Sequence, residues 1–214
     1  MAKTAAGRFI TIEGVEGAGK SSVIDSVSAQ LEENGISVWR TREPGGTHPG
    51  EAVRDILLNP DFSGMDARCE LLLMFAARAQ HLATLIRPAL EKGDWVVCDR
   101  FTDATYAYQG GGREMDERAI EWLERFVQGD LRPDLTLFLD VPVNVGLERA
   151  NSRSAPDRFE SEQALFFERV RNRYLEQARR EPQRVRVIDS SASLEEVIVA
   201  VRAIVRQFVE ETRA

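Results

Sequence analysis

The sequence is poor in cysteine and contains no long hydrophobic run. Its two cysteines, Cys69 and Cys98, cannot form a disulfide framework, which indicates a reducing compartment. No stretch approaches the roughly 18 apolar residues of a membrane span. Residues 1–8 also lack the apolar core of a signal peptide. These absences predict a cytoplasmic protein without a membrane partner.

A basic excess is also missing, since 28 lysines and arginines face 35 acidic residues and leave a net charge of −7. Proteins that bind nucleic acid normally carry surplus positive charge, so the composition argues against a nucleic-acid partner. Small anionic ligands remain compatible, because they need only a local arginine cluster. Repeats, low-complexity tracts and linkers are absent, and residues 1–214 are predicted to form a single domain.

Residues 9–22 carry the strongest local pattern. They begin with a short apolar, β-branched segment that predicts a buried strand, and the phosphate-loop pattern G-x-x-x-x-G-K-[ST] follows it. Glycines let the backbone wrap around an anion, with Lys20 neutralising the β and γ phosphates and the Ser21 hydroxyl binding Mg²⁺. The predicted ATP-binding residues are Gly14, Val15, Glu16, Gly17, Ala18, Gly19, Lys20, Ser21 and Ser22.

Strand-like and helical patterns alternate along the rest of the chain. Strands are predicted at 9–12, 36–40, 95–98, 135–139 and 185–188, and helices at 22–34, 51–58, 66–91, 116–128, 143–150 and 194–208. This order predicts an α/β fold of the three-layer phosphate-loop type, with a parallel five-stranded sheet and helices on both faces. A polar, proline-broken segment predicts a short mobile lid at about 150–160. Ligands should lie at the carboxyl ends of the strands.

The small size, a strand that ends in Asp-Arg and arginines beside several loops suggest phosphoryl transfer to a nucleoside monophosphate. A GTPase is disfavoured, because no Asn-Lys-x-Asp guanine-binding tetrapeptide occurs. The segments Thr41-Arg-Glu-Pro-Gly-Gly-Thr47 and Asp99-Arg-Phe-Thr-Asp-Ala-Thr-Tyr-Ala-Tyr-Gln-Gly-Gly-Gly-Arg113 resemble the signatures of bacterial thymidylate kinases. Asp157–Glu160 and Val187–Asp189 follow in that family's order. The resemblance implies transfer of the γ-phosphoryl group of ATP to dTMP, giving dTDP and ADP for dTTP supply, in a Mg²⁺-dependent homodimer.

The resemblance also implies roles for individual side chains around dTMP. Arg100 holds the phosphate, Arg78 contacts the thymine carbonyl and Thr105 the ring N–H, while Tyr108 lies where a 2′-hydroxyl would go. The family usually has a stacking phenylalanine four residues before the helix arginine; here that position is Met74, with Phe75 beside it. Glu43 is expected to act through Arg54 or water. The implied dTMP-binding residues are Glu43, Arg54, Met74, Phe75, Arg78, Arg100, Thr105, Tyr108 and Gln109.

The catalytic assignments follow from the need to align and neutralise phosphates. Glu16 places a carboxylate among oxyanions, so a neighbouring arginine or Mg²⁺ must compensate its charge. The implied catalytic residues are Lys20, Arg100, Arg153, Glu16 and Asp99. The implied lid arginines are Arg149, Arg153 and Arg158, of which Arg153 is favoured as the bridging one and Arg149 is also assigned to ATP. The implied metal ligands are Ser21 and Asp99, with Asp140 ranked lower.

Several alternatives remain open from the sequence. Arg100 could form only a salt bridge with a neighbouring carboxylate, and the lid arginines could belong to a solvated charged segment. His48 and His81 have no companions at metal-ligand spacing and are interpreted as ordinary loop and helix residues. A kinase of another nucleoside monophosphate or of a deoxynucleoside would differ at the thymine-contacting positions. An ATP-dependent switch protein would hydrolyse ATP without any acceptor.

Overall fold

A computed structural model describes residues 7–151 and 157–213, without the side chain of Asn151. Its centre is a five-stranded sheet with the order β2-β3-β1-β4-β5, in which every paired neighbour is parallel. The strands are β1 (Phe9–Glu13), β2 (Val38–Arg42), β3 (Trp95–Asp99), β4 (Leu135–Asp140) and β5 (Val185–Asp189). The predicted α/β fold with a parallel five-stranded sheet is therefore confirmed.

The central strand β1 is buried at every position, because helices cover both faces of the sheet. It pairs with β3 on one side and with β4 on the other, so that Ile10 lies opposite both Val97 and Leu135. The register also sets Ile12 opposite Asp99. As a result, the loops that follow β1 and β3 leave the sheet side by side, at its carboxyl edge.

The helices alternate with the strands. They are α1 (Lys20–Glu33), α2 (His48–Leu58), α3 (Ala67–His81), α4 (Arg87–Lys92), α5 (Thr102–Thr105), α6 (Glu117–Gln128), α7 (Val143–Asn151), α8 (Ala164–Arg180) and α9 (Leu194–Arg213). Two π-helical turns, Leu82–Ile86 and Tyr106–Gly112, and a 3₁₀ turn, Pro60–Phe62, complete the helical segments.

Several boundaries differ from the predictions for local reasons. The helix predicted over 66–91 is divided into α3 and α4 by the π-helical turn. Helix α2 begins earlier than predicted, because the Thr47 hydroxyl accepts a hydrogen bond from the Gly50 N–H at 3.0 Å and caps the helix. Helix α8 was not predicted, although Phe166, Val170 and Tyr174 recur at four-residue spacing on its buried face.

The segment Ala67–Lys92 is, by length and composition, apolar enough to cross a membrane. Within the fold, however, 44% of its most apolar window is buried against the rest of the protein. Glu70, Arg78 and His81 on its inner side are buried and hydrogen-bonded or ion-paired to other segments. One side of this segment therefore packs on the core of the protein and the other side is exposed.

Helix α8 packs directly on the π-helical turn Tyr106–Gly112, and glycine makes this contact possible. A Cβ atom on Gly112 would lie 2.4 Å from Cε2 of Phe166, and one on Gly111 would lie 2.9 Å from Cβ of Arg173. The close approach brings the aromatic side chains of α8 behind the carboxyl edge of the sheet. Tyr174, for example, stacks on Phe138 of β4 with ring centroids 4.8 Å apart.

Candidate active site

A cleft with a volume of about 330 Å³ opens at the carboxyl ends of β1 and β3. Its walls come from the phosphate loop, the start of the segment after β2, helix α3, the end of β3 and the residues from Thr105 to Gln109. This is the edge of the sheet where the sequence predicts ligands. The volume is within the range of small-molecule sites.

The phosphate loop joins β1 to α1 and needs glycine at its turns. Gly14, Gly17 and Gly19 have φ values of 148°, 72° and 88°, where a side chain would be strained. A Cβ atom on Gly17 would also lie only 2.0 Å from the backbone oxygen of Gly146. The backbone therefore closes tightly at the start of α1, where its N–H groups and the helix dipole favour an anion.

The predicted ATP-binding residues occupy different parts of this loop. Val15 and Ala18 are buried in the core and support the loop. The Lys20 ammonium donates hydrogen bonds to the backbone oxygens of Gly14 at 3.3 Å and Val15 at 3.2 Å. Burial, followed by the nearby Arg100 charge, lowers the pKa of Lys20. The loop residues from Glu16 to Ser21 line the cleft, whereas Ser22 is exposed and does not line it.

Arg100 faces the phosphate loop from the end of β3. One nitrogen of its guanidinium donates to the Gly14 backbone oxygen at 2.7 Å, and the other lies 2.6 Å from Oε2 of Glu16. The guanidinium also lies 4.8 Å from the ring centre of Tyr108. Arg100 has a φ of 67°, a left-handed backbone that is uncommon for a residue other than glycine. Such a conformation persists only where the surrounding structure imposes it, so the backbone of Arg100 is held in place at this site.

Glu16 has the compensating arginine that the sequence analysis required. Although burial opposes ionisation, the charges of Arg100 and Lys20 and a hydrogen bond from the Tyr108 hydroxyl lower the pKa of Glu16 to about 2. Lys20 Nζ lies 3.6 Å from Oε2 of Glu16. The carboxylate thus remains ionised at neutral pH and links Arg100, Lys20 and Tyr108 at one point of the cleft.

Arg78 lies at the other end of the cleft and is held from two sides. Its Nε donates to Oε2 of Glu43 at 2.7 Å, and one terminal nitrogen donates to the Thr105 hydroxyl at 3.0 Å. The other terminal nitrogen, Nη1, is buried and has no hydrogen-bond partner among the described residues. Arg78 lines the cleft, and an unpaired buried N–H group of this kind is one that a ligand could satisfy.

Two side chains at this end of the cleft make contacts that the sequence did not predict. Of the two routes expected for Glu43, Arg54 or water, the first is not used, because the Arg54 guanidinium donates to the Pro44 backbone oxygen at 2.8 Å. Glu43 holds Arg78 directly, and its second oxygen lies 3.0 Å from Nδ1 of His81. His81 is also not an ordinary helix residue, since it is fully buried and is hydrogen-bonded to the Thr41 hydroxyl at 2.7 Å. Only the tertiary fold brings these groups together.

Met74, and not Phe75, lines the cleft. Phe75 is buried with Leu71 and Ile120 between α3 and α6, and the guanidinium of Arg78 lies 4.8 Å from its ring centre. The sequence leaves open which of Met74 and Phe75 covers the base and allows a core role for either; Phe75 has the core role and supports Arg78 from the core side. Helical spacing predicts this difference, because Met74 is four residues before Arg78 and shares its face of the helix, whereas adjacent residues such as Met74 and Phe75 do not share a face.

Glu13 and Tyr174 were not identified from the sequence. Glu13 ends β1 directly before the phosphate loop and is fully buried. Its carboxyl group accepts hydrogen bonds from the Phe101 backbone N–H and from the Tyr174 hydroxyl, both at 2.7 Å. Burial, reinforced by the charge of Asp103, raises the pKa of Glu13 to about 8. The signal in the sequence is the acidic residue that ends the apolar segment Phe9–Glu13.

The oxygen groups beside the phosphate loop suit Mg²⁺. Oδ1 of Asp99 is buried without a hydrogen-bond partner among the described residues, and both Asp99 and Ser21 line the cleft. Mg²⁺ usually takes one or two protein oxygens and completes its shell with water and phosphate. In the described part of the chain no three His, Cys, Asp or Glu side chains form a metal cluster. Asp140 is engaged elsewhere, in a two-point ion pair with Arg171 at 2.6 and 3.0 Å.

The predicted lid arginines have different environments. Arg153 lies outside the described residues. Arg149 donates to the Ser190 backbone oxygen at 2.8 Å, and the Ser190 hydroxyl in turn donates to Ala18 of the phosphate loop at 2.7 Å. Arg158 is 2% exposed and ion-paired to Glu70 at 2.7 Å, so its assignment as a mobile lid arginine is corrected.

Gln109 contacts the carboxylate of Glu70, which also forms the ion pair with Arg158. It lines the cleft and donates to Oε1 of Glu70 at 2.7 Å. Arg113 reaches the same carboxylate at 3.2 Å, and its other terminal nitrogen contacts Glu162. The fully buried Glu70 therefore joins α3, the π-helical turn beside the cleft and the segment after residue 156.

A phosphate loop at the carboxyl edge of a parallel sheet, with an arginine facing it across the same cleft, defines a phosphate-loop nucleotide-binding protein of the kinase type. The model of the thymidylate kinase family matches residues 12–201, and the chain belongs to this family.

Relatives cover nearly the whole chain. A thymidylate kinase of Pseudomonas putida (strain W619) is 58% identical over 205 residues, 96% of this chain and 99% of the relative. One of Pseudomonas syringae pv. syringae (strain B728a) is 56% identical over 207 residues, 97% and 99% of the two chains. The crystal structure of thymidylate kinase from Ehrlichia chaffeensis matches with a TM-score of 0.76 at 32% identity, covering 94% of this chain and 99% of that one.

The raised pKa of Glu13 predicts a pH dependence of stability. The pKa of Glu13 is about 8 in the folded protein, compared with the ordinary value of 4.5 in the unfolded chain. Between these two pH values the folded protein therefore holds the proton more tightly than the unfolded chain does. The contribution of Glu13 to the free energy of unfolding is therefore complete below pH 4.5 and is lost as the pH rises through 8. Glu13→Gln should remove this loss, which amounts to at most about 1.4 kcal/mol per pH unit.

Urea unfolding of the wild type and of Glu13→Gln at several pH values across that window measures the difference. Glu195→Gln, an exposed change on α9, is the matched control and should follow the wild type. If the curves for wild type and Glu13→Gln run parallel, Glu13 is not protonated in the folded protein.

Proposed function

We propose that the chain transfers the γ-phosphoryl group of ATP to dTMP and releases dTDP and ADP. The observation that carries this function is the position of Arg100, whose guanidinium lies 2.7 Å from the backbone of the phosphate loop. A phosphate held by Arg100 and a triphosphate held by the loop would lie side by side in one cleft. Kinases need this arrangement, because phosphoryl transfer depends on alignment and charge neutralisation.

On the donor side, ATP binds with its phosphates against the loop backbone and Lys20. Lys20 already lies over the loop, and a bound phosphate would replace the backbone oxygens as its partner. Mg²⁺ would be held by Ser21 directly and by Asp99 directly or through water. When bound, it neutralises charge on the β and γ phosphates. The unpaired oxygen of Asp99 supports this assignment.

On the acceptor side, an oxygen of the dTMP phosphate attacks the γ-phosphorus while Arg100 holds that phosphate. No general base is required, because the attacking oxygen already carries negative charge. The forked guanidinium suits two-point contact with a phosphate. Glu16 keeps Arg100 beside the loop, and the Tyr108 hydroxyl donates a hydrogen bond to Glu16. We place the sugar end of the acceptor against Glu16 and Tyr108.

At the base end, the free N–H of Arg78 donates to a thymine carbonyl oxygen, and the Thr105 hydroxyl accepts from the ring N–H. Glu43 and Phe75 keep the Arg78 guanidinium in place, which supports its role as a fixed hydrogen-bond donor to the base. Met74 covers a face of the ring with its polarisable thioether. The π-helical turn brings Tyr108 and Gln109 to the same pocket, and we assign Tyr108 to the side of the sugar where a 2′-hydroxyl would go.

The lid is assigned to about residues 150–160, within a single domain. Arg153 bridges the donor and acceptor phosphates when the lid closes, and Arg149 contributes to the ATP side. The fixed position of Arg158 on Glu70 supports a lid that is anchored at its carboxyl-terminal end. We place the enzyme in the cytoplasm, without nucleic-acid or membrane partners. The free state of both cysteines is compatible with that compartment.

A homodimer is supported by an exposed apolar face on α3 and α6. In α3, the small and apolar residues at spacings of three and four that face solvent are Cys69, Leu72, Ala76 and Ala79. On the neighbouring α6, Trp122 and Phe126 are 63% and 74% exposed and stack on each other. A helix stripe of this kind packs against the same stripe of a second copy in a two-fold interface.

The activity is tested by coupled ADP release from MgATP with dTMP, dUMP, CMP, AMP or thymidine supplied singly. We expect strong preference for dTMP over CMP and AMP, because cytosine and adenine lack the ring N–H beside a carbonyl that thymine offers in this pocket, and over thymidine, because thymidine lacks the acceptor phosphate. Lys20→Ala should reduce turnover by about 10²–10³-fold, whereas the exposed control Lys92→Ala should not change it. Preference for CMP or AMP would contradict the thymine assignments. ADP release that is independent of any acceptor would contradict the transferase function.

The dimer is tested by sedimentation velocity of Leu72→Glu. A charge in the centre of the stripe should convert the protein to a monomer, because an unpaired buried carboxylate is costly. The matched control is Leu165→Glu on α8, where the leucine is 69% exposed and lies away from the stripe. A wild-type protein that sediments as a monomer at micromolar concentration would contradict the dimer.

A further inference from the structure

We infer that Glu13 and Tyr174 are positioning residues for Arg100, holding its backbone and its guanidinium so that the guanidinium faces the acceptor phosphate. The inference rests on the proposed function, which assigns that phosphate to Arg100. Neither residue lines the cleft, so both act through Arg100 and not on the substrate.

The backbone of Arg100 is held at both of its neighbouring amides. Its left-handed φ of 67° is unfavourable for a residue with a side chain and persists only where the surroundings impose it. The Arg100 N–H donates to the backbone oxygen of Ile12 at 3.0 Å, and the next amide, that of Phe101, donates to Oε1 of Glu13 at 2.7 Å. Glu13 therefore fixes the turn that aims the side chain of Arg100 at the phosphate loop.

The guanidinium is held through Tyr174. The Tyr174 hydroxyl donates to Oε2 of Glu13 at 2.7 Å and lies 3.4 Å from Nη1 of Arg100. Tyr174 is itself 1% exposed and is fixed by stacking on Phe138. One buried carboxyl group thus contacts the amide that follows Arg100 and, through the Tyr174 hydroxyl, the end of the Arg100 side chain.

A positioning role and a purely structural role give different binding behaviour. If Glu13 and Tyr174 only stabilise the core, loss of the Tyr174 hydroxyl lowers stability and affects all ligands alike. If they position Arg100, it weakens ligands that carry the acceptor phosphate and spares those that lack it. dTMP and thymidine differ by this phosphate alone, so the ratio of their dissociation constants isolates the effect.

The test is calorimetric titration of dTMP and of thymidine into wild type, Tyr174→Phe and Tyr106→Phe. We expect Tyr174→Phe to weaken dTMP by about 3- to 10-fold, as for one lost hydrogen bond, and to change thymidine less than twofold. Tyr106→Phe is the matched control, because its hydroxyl also donates to a carboxylate, Glu124 at 2.6 Å, but lies outside the cleft and away from Arg100. It should leave the ratio unchanged.

Equal weakening of both ligands, or an unchanged ratio, in Tyr174→Phe would overturn the inference. If Tyr174→Phe does not fold, Glu13→Asp decides in its place. Its shorter side chain cannot reach both the Phe101 amide and the Tyr174 hydroxyl, and the same loss of dTMP relative to thymidine is expected.

Arg100→Ala separates this inference from the proposed function. It should abolish the advantage of dTMP over thymidine, and adding Tyr174→Phe to it should have no further effect on the ratio. If Arg100→Ala keeps the advantage, the assignment of the phosphate to Arg100 fails. If Arg100→Ala loses it and Tyr174→Phe does not, only the positioning role fails.

Discussion

The contact between Arg100 and the phosphate loop is the constraint on which the site depends. The register of β1 with β3 brings their two following loops together, and the guanidinium closes the gap with bonds of 2.7 Å to Gly14 and 2.6 Å to Glu16. The charges of Arg100 and Lys20, with a hydrogen bond from Tyr108, in turn lower the pKa of Glu16 and keep it ionised. An anion that enters the cleft therefore meets two cations held at fixed positions before it binds, which lowers the cost of organising them around substrate.

Buried carboxylates organise the arginines in and around the acceptor half of the cleft. Glu43 holds Arg78, and Glu70 holds Arg158, with each of these side chains at most 4% exposed. Glu13, whose carboxyl group has a raised pKa, contacts the Phe101 amide and the Tyr174 hydroxyl beside Arg100. Removing one partner of a buried pair leaves a charge without compensation, which is far more costly than losing a surface salt bridge. These carboxylates thus fix the positions of the arginines in and beside the cleft.

Local pattern was sufficient for the sheet and the phosphate loop, because both are encoded by spacing within a few residues. The pairing of Glu43 with Arg78 and His81, and of Glu70 with Arg158, could not be predicted, since the partners are 35 to 88 positions apart and meet only in the folded chain. Charge type alone also misled: Arg158 looks like a lid residue in a polar segment but is buried. The opposite orientations of Met74 and Phe75, by contrast, can be predicted from the spacing of residues on a helix.

Donor and acceptor phosphates are expected to meet in one cleft between Lys20 and Arg100. The most direct measurement is inhibition by a dinucleoside polyphosphate that joins adenosine to thymidine through a chain of five phosphates. Such a molecule should bind more tightly than either substrate and should compete with both ATP and dTMP, because it spans both halves of the cleft. Competition with only one of the two substrates would contradict a shared cleft in which the phosphates lie side by side.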